Sequence, residues 1–191
     1  MPAAGSVLVI CTGNICRSAV GEAILSERLD DLGVSVRSAG TQAAVGQRAP
    51  AETNEFVSRV LGKDLHHVGR QLLKADAEAA DLLVTMTMDQ RARVAKLAPK
   101  TVRRIFTLPE LVDALDALGP DEQFESVKAL AQAASRHRPR AAQGERELDI
   151  TDPYGGPAEG YETAFQQVNS FSERVSDALH RHLDTRKDGQ L

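Results

Sequence analysis

The chain has 191 residues, of which 42% are hydrophobic and 26% charged, a balance that fits one globular domain and excludes a disordered or fibrous polymer. Its formal charge of -4 offers no overall positive field, which argues against nonspecific nucleic-acid or anionic-membrane binding and requires any anion site to be local. No stretch approaches the roughly 20 apolar residues of a membrane span, the Val7–Ile10 run has neither the basic flank nor the cleavage pattern of a signal peptide, and two cysteines five residues apart suit a chemical site better than a disulfide framework. A cytoplasmic protein is expected.

In chain order, four short runs rich in β-branched and aliphatic residues read as strands: Val7 to Ile10, Val34 to Arg37, Leu82 to Met86 and Val102 to Phe106. Between them lie helical patterns. The first runs from about Arg17 to Asp31, with Val20, Ile24, Leu25 and Leu29 on one face and Gly33 as its stop. Others are expected at Pro50 to Leu61, Met88 to Leu97, Leu108 to Leu118 and Glu122 to Ala134. The last begins near Gly160, where Tyr161, Phe165, Val168, Phe171, Val175 and Leu179 recur at helical spacing. Strands alternating with helices predict an α/β fold: a parallel sheet flanked by helices on both faces, in a single domain over residues 1-191. The segment Ser135 to Glu147, with Arg136-His137-Arg138-Pro139-Arg140, has little to bury and reads as a solvated loop.

In an open α/β sheet, ligands bind beyond the carboxyl ends of the strands, where strand order reverses. The loop after the first strand is Cys11-Thr12-Gly13-Asn14-Ile15-Cys16-Arg17-Ser18. Unpaired N–H groups at a helix start, together with the positive end of its dipole, make such a loop an anion cradle. Gly13 and Asn14 tolerate the left-handed backbone that a nest requires, and Arg17 adds a planar fork for two phosphate oxygens. The same field favours a thiolate at Cys11. Free thiols titrate near 8.5, whereas those at helix N-termini beside Arg fall to roughly 3.5 to 7.5. Ser18 can hydrogen-bond the sulfur, so the nucleophile needs no separate base. The alternative is a small buried apolar residue at a strand end. Neither the nucleotide P-loop ending Gly-Lys-Ser/Thr nor Gly-x-Gly-x-x-Gly is present here.

Val7 to Ser18 resembles the signature of the low-molecular-weight protein tyrosine phosphatases. The likeness continues in order through Ser38-Ala39-Gly40-Thr41, His67-Val68-Gly69-Arg70-Gln71-Leu72, Ala80-Asp81 and Asp152-Pro153-Tyr154. The resemblance implies a four-stranded parallel sheet in the order 2-1-3-4 and hydrolysis of phosphotyrosine and small aryl phosphates through a phosphocysteine. Cys11, Arg17 and Asp152 would be catalytic, with Asp152 as the acid that protonates the leaving oxygen and then activates water. Asp149 is the weaker rival for that role. Thr12, Gly13, Asn14, Ile15, Cys16 and Ser18 would bind phosphate, Tyr154 would wall the cleft, and Ser38 and His67 would support the loop with Asn14 and Ser18.

Cys16 is close enough to Cys11 for a protective disulfide after oxidation. No cofactor or metal is implied. The partner is a phosphotyrosine-containing protein, with a tyrosine kinase among the candidates, and a monomer or weak dimer is expected. The sequence departs from the family pattern in three places. Ala19 stands where relatives usually have proline, Gly155-Gly156 follow Tyr154 where a second aromatic is common, and extra length falls at about 108-147. Two other functions remain open: arsenate reduction with an external small thiol, since downstream cysteines are lacking, and a noncatalytic phosphopeptide- or anion-binding module.

Overall fold

The computed structural model describes residues 5–138 and 148–183. Four parallel strands, β1 (Gly5–Cys11), β2 (Val34–Gly40), β3 (Leu82–Thr85) and β4 (Ile105–Thr107), form one sheet in the order β2-β1-β3-β4. Ile10 sits between Ala39 of β2 and Thr85 of β3, so β1 is central and the chain leaves it first to one side and later to the other. That reversal places the switch point at the carboxyl end of β1, at Cys11.

Burial follows the alternation of a strand covered on both faces. Val7, Val9 and Cys11 face the larger core, which is built from Val20, Ile24 and Leu25 of α1 (Arg17–Arg28) and Phe165, Val168, Val175 and Leu179 of α7 (Ala158–His182). Leu8 and Ile10 face the smaller core, with Leu83, Ile105, Ala77 of α3 (Lys74–Ala79) and Val94 of α4 (Met88–Leu97). The helix α2 (Ala51–Leu61) contributes Phe56, whose ring lies 5.3 Å from that of Phe165. Side chains of this size contribute about 1.5–3 kcal/mol each when fully buried.

The helices α5 (Leu108–Asp116) and α6 (Val127–Ala134) belong to the larger core through Leu111, Leu115, Val127 and Leu130. Two sequence expectations shift here. The fourth strand begins at Ile105 because Pro99–Arg104 winds as a 3-10 helix that leaves Val102 46% exposed. The sixth helix begins at Val127, where the Ser126 hydroxyl accepts from Ala129 N and supplies the cap that the Glu122 start lacked. The basic segment is described only as far as Arg138, whose guanidinium lies 4.4 Å over the Phe106 ring and donates to the Ile105 carbonyl. Its remainder lies outside the described residues. Among the described residues, no helix is long and apolar enough to cross a membrane.

Candidate active site

The loop from Cys11 to Ser18 joins β1 to α1, and its carbonyls from Cys11 to Cys16 are bonded one after another. Cys11 O accepts from Thr41 N at 2.9 Å, Thr12 O from Gln42 N at 3.0 Å and Gly13 O from Ala44 N at 2.9 Å. Asn14 O meets His67 Nε2 at 2.6 Å, Ile15 O accepts from the Thr53 hydroxyl at 3.3 Å, and Cys16 O from Val20 N at 3.0 Å. With these carbonyls already bonded, the peptide N–H groups are left available to an anion, as an anion nest requires. Close approach makes this possible: a Cβ at Gly40 would sit 2.5 Å from Thr12 O, so only glycine lets β2 lie against the loop.

Asn14 organises the loop. Its φ of 57° is the left-handed conformation, which Asn tolerates better than most residues. Its buried side chain donates to Ser18 Oγ at 2.9 Å and to Ser38 Oγ at 2.7 Å, and accepts from Arg70 N at 2.9 Å. Ser18 Oγ in turn lies 2.9 Å from Cys11 Sγ, and Asn14 N donates to the same sulfur at 3.2 Å. Two groups therefore converge on Cys11 from buried positions and would stabilise negative charge there. Cys16 differs: burial pushes its thiol up to about 12, against a lowering hydrogen bond to Thr53. Both thiols are free.

Arg17 is 2% exposed. One terminal nitrogen donates to Ile150 O at 2.6 Å, and the other lies 2.5 Å from Asp152 Oδ2. Its Nε is buried without a partner among the described residues. Ile150 is itself fixed to the end of β3 by Ile150 N to Met86 O at 2.8 Å, so the segment carrying Asp152 docks on the central sheet. Asp149 accepts from Met88 N at 2.7 Å and is thereby committed to the start of α4, whereas Asp152 opens on the cleft.

That cleft, of about 290 Å³, is lined by Cys11, Thr12, Gly13, Ile15, Cys16 and Arg17 at its base and by Gln42, Ala43, Ala44, Gln47, Asp152 and Tyr154 on its walls. Ser18, Ser38 and His67 stand behind the loop and take part through Asn14 and Cys11. Tyr154 is 62% exposed at the mouth. Gly155, with φ of 75°, turns the chain so that its N–H donates to the Tyr161 hydroxyl at 3.1 Å.

Besides Ile150, sequence reasoning missed two members. Glu22, on α1, accepts from the Ser38 hydroxyl at 2.6 Å and lies 3.4 Å from His67 Nδ1. Burial alone would lower the His67 pKa, but the hydrogen bond and charge of Glu22, with the Asn14 carbonyl, outweigh it and raise His67 above 6.5. Gln90, 2% exposed, donates to the Thr12 hydroxyl at 3.1 Å. Glu22 reads in sequence as one more charged helix residue, and Gln90 as the third residue of a capping box. Nothing local announces that either one reaches the loop.

Comparison with known proteins agrees with this geometry. The chain is 28% identical over 173 residues to a protein-arginine-phosphatase of Geobacillus stearothermophilus, covering 91% of this chain and 95% of that one. It is 35% identical over 136 residues to the low molecular weight protein-tyrosine-phosphatase Etp of Escherichia coli, covering 69% and 90%. Among solved structures, the YwlE arginine phosphatase of Geobacillus stearothermophilus superposes with a TM-score of 0.69 at 27% identity, over 92% of this chain and 93% of that one. Residues 6–135 match the model of the low molecular weight phosphotyrosine protein phosphatases, and the chain belongs to that family.

Proposed function

We propose that this phosphatase acts on phosphotyrosine in protein substrates, with Cys11 as nucleophile, Arg17 as the phosphate clamp and Asp152 as the proton donor. The observation that carries the reading is a buried, incompletely bonded cation at the base of a cleft whose walls carry apolar side chains beside polar ones. Arg17 is shielded from water, and its Nε has no partner among the described residues, a deficit that an anion entering the cleft would relieve. Ile15, Ala43, Ala44 and Tyr154 line the approach and suit the faces of an aromatic ring.

In this reading Cys11 Sγ, as the thiolate, attacks phosphorus opposite the bridging oxygen. The P–S bond forms as the P–O bond breaks, and the tyrosine oxygen leaves with the proton of the Asp152 carboxyl. The resulting carboxylate takes a proton from water as that water attacks the phosphocysteine, releasing inorganic phosphate and restoring the thiolate. The loop N–H groups and Arg17 hold the non-bridging oxygens throughout. Since Arg17 bonds Asp152 at 2.5 Å, a phosphoryl group gripped through the free Nε and that same terminal nitrogen competes with Asp152 and favours opening of the pair. Opening it frees Asp152 to face the leaving oxygen.

The test compares phosphate release from a phosphotyrosine peptide, an aryl phosphate and a phosphoarginine peptide. The two aryl substrates should be preferred, and Cys11→Ser should lower turnover at least about 10⁴-fold. A preference for phosphoarginine would overturn the substrate assignment, and turnover surviving in Cys11→Ser would overturn the phosphocysteine.

A further inference from the structure

The side-chain amide of Gln90 has only one way to sit. Its Oε1 accepts from two backbone groups, Met86 N at 2.9 Å and Thr87 N at 3.2 Å. A backbone N–H can only donate, so the carbonyl end of the amide must face them and the NH₂ end must face the other way. Facing the other way is Thr12 Oγ1, 3.1 Å from Gln90 Nε2. The backbone of Gln90 is locked as well, since its N–H donates to the Thr87 hydroxyl at 3.2 Å, and the residue is 2% exposed. Thr12 Oγ1 is thus compelled to accept. A hydroxyl carries a single proton, and that of Thr12 finds no acceptor among the described residues. Thr12 directly follows Cys11, is half-buried and lines the same cleft as Cys11 and Arg17.

The geometry points to Gln90 as a positioning residue that holds the Thr12 hydroxyl as a hydrogen-bond donor to the phosphoryl group, an inference that rests on reading this cleft as the phosphatase site. The hydroxyl adds a side-chain donor to the peptide N–H groups of the nest, and its bond to an anionic oxygen is of the stronger, charge-assisted kind. Gln90 also joins the two halves of the site. Met86, whose N–H it accepts, is the residue whose carbonyl receives Ile150 N, so the loop that binds phosphate and the segment that carries Asp152 are registered against one buried amide.

Gln90→Glu separates this role from a merely structural one. A carboxylate still accepts from Met86 N and Thr87 N and still suits the third position of a capping box, but it has no donor. The Thr12 proton then turns onto the carboxylate and away from the cleft. Thr12→Val removes the hydroxyl at nearly constant shape, and Thr12→Ser keeps it. Two readouts are needed: kcat/KM for an aryl phosphate, and the affinity for inorganic phosphate measured by calorimetry, which does not depend on turnover.

Thr12→Val should weaken both about 10-fold, as expected for a hydrogen bond to a charged group, and Thr12→Ser should restore both. Gln90→Glu should cost about 10-fold more in the native background than in the Thr12→Val background, where only plain charge repulsion remains. Equal costs in the two backgrounds would overturn the inference, as would a Thr12→Val variant that binds phosphate as tightly as the native chain. If Gln90→Glu does not fold, identical phosphate binding by Thr12→Ser and Thr12→Val overturns it on its own. Failure of the native chain to hydrolyse aryl phosphates would instead remove the proposed function, and the phosphate-binding arm would still judge the role of Gln90.

Discussion

The loop from Cys11 to Ser18 and the segment from Asp149 to Gly156 face one another across a single cleft but are held in different ways. On the first side Cys11, Asn14, Ile15, Cys16, Arg17 and Ser18 are all buried, and the carbonyls from Cys11 to Cys16 are each hydrogen-bonded. On the second side Asp152 has a half-exposed side chain and Tyr154 is 62% exposed. Asp152 reaches the loop through the Arg17 pair and, among the described residues, otherwise accepts only from Tyr154 N, at 3.3 Å. An anion nest must be in place before the anion arrives, because reorganising it during reaction would consume the stabilisation that it supplies. The proton donor that Asp152 is proposed to be has the opposite requirement. It must leave one partner and meet another within each turnover, so few and exchangeable contacts serve it better.

The largest expected effect tests the looser side. Asp152→Asn keeps the shape of the side chain but cannot donate and regain a proton, and should lower kcat for phosphotyrosine by about 10²- to 10⁴-fold. Its melting temperature should fall only modestly, because Asn keeps an acceptor oxygen for the buried Arg17 and the Asp152 side of the pair is half-exposed. A large drop in melting temperature would show Asp152 to be a structural brace and would erase the contrast between the two sides. An unchanged kcat would remove Asp152 from the chemistry.

Asn14→Ala tests the rigid side and should show the reverse signature. It removes two donors and one acceptor from a buried network and leaves Ala at a φ of 57°, a conformation that Asn tolerates better than Ala. Adding the hydroxyls and N–H left unsatisfied, a total loss of about 3 kcal/mol in unfolding free energy is expected. Denaturant unfolding measures it, and a change below about 1 kcal/mol would show that the loop keeps its form without this side chain.

The two sides also differed in how far the sequence alone revealed them. The strand-loop-helix segment was readable because its logic is local: an apolar strand, a Gly-Asn turn, an Arg and a Ser follow each other within a few residues, and the parallel α/β sheet followed from the alternation of runs. Where periodicity was weak, the reading failed. The helix α3 spans six residues with only Ala77 buried, too little to announce itself, and Val102 imitated a strand although Pro99 starts a 3-10 helix there. Glu22, Gln90 and Ile150 acquire their roles only through the fold, since their partners lie 16, 78 and 133 residues away. A polar residue that is structural in its own helix and functional in a distant loop leaves no mark in sequence spacing.

The smallest effect is a pH dependence confined to the rigid side, and its sign follows from His67. Its ring lies between Asn14 O and Glu22 Oε2, with Arg70 the nearby opposing charge. The net result is a folded-state pKa above 6.5, the acceptors outweighing burial. Folding therefore favours the protonated ring. The contribution to stability is fully present below about pH 6.5 and is lost as pH rises through the raised folded-state value. Exposed His180, also raised, by its contacts with Ser176 O and Asp31 against burial, adds a dependence of the same sign, so the native chain alone does not isolate His67. The difference in melting temperature between native protein and His67→Gln does isolate it, because His180 is common to both. That difference should be widest near pH 6 and should narrow towards pH 9, as the neutral ring keeps only one of its two donors. A difference that stays flat, or widens with pH, would mean that the ring is already neutral when it bonds Asn14. The loop would then be held by shape and neutral hydrogen bonds, and Glu22 would act on it through Ser38 alone.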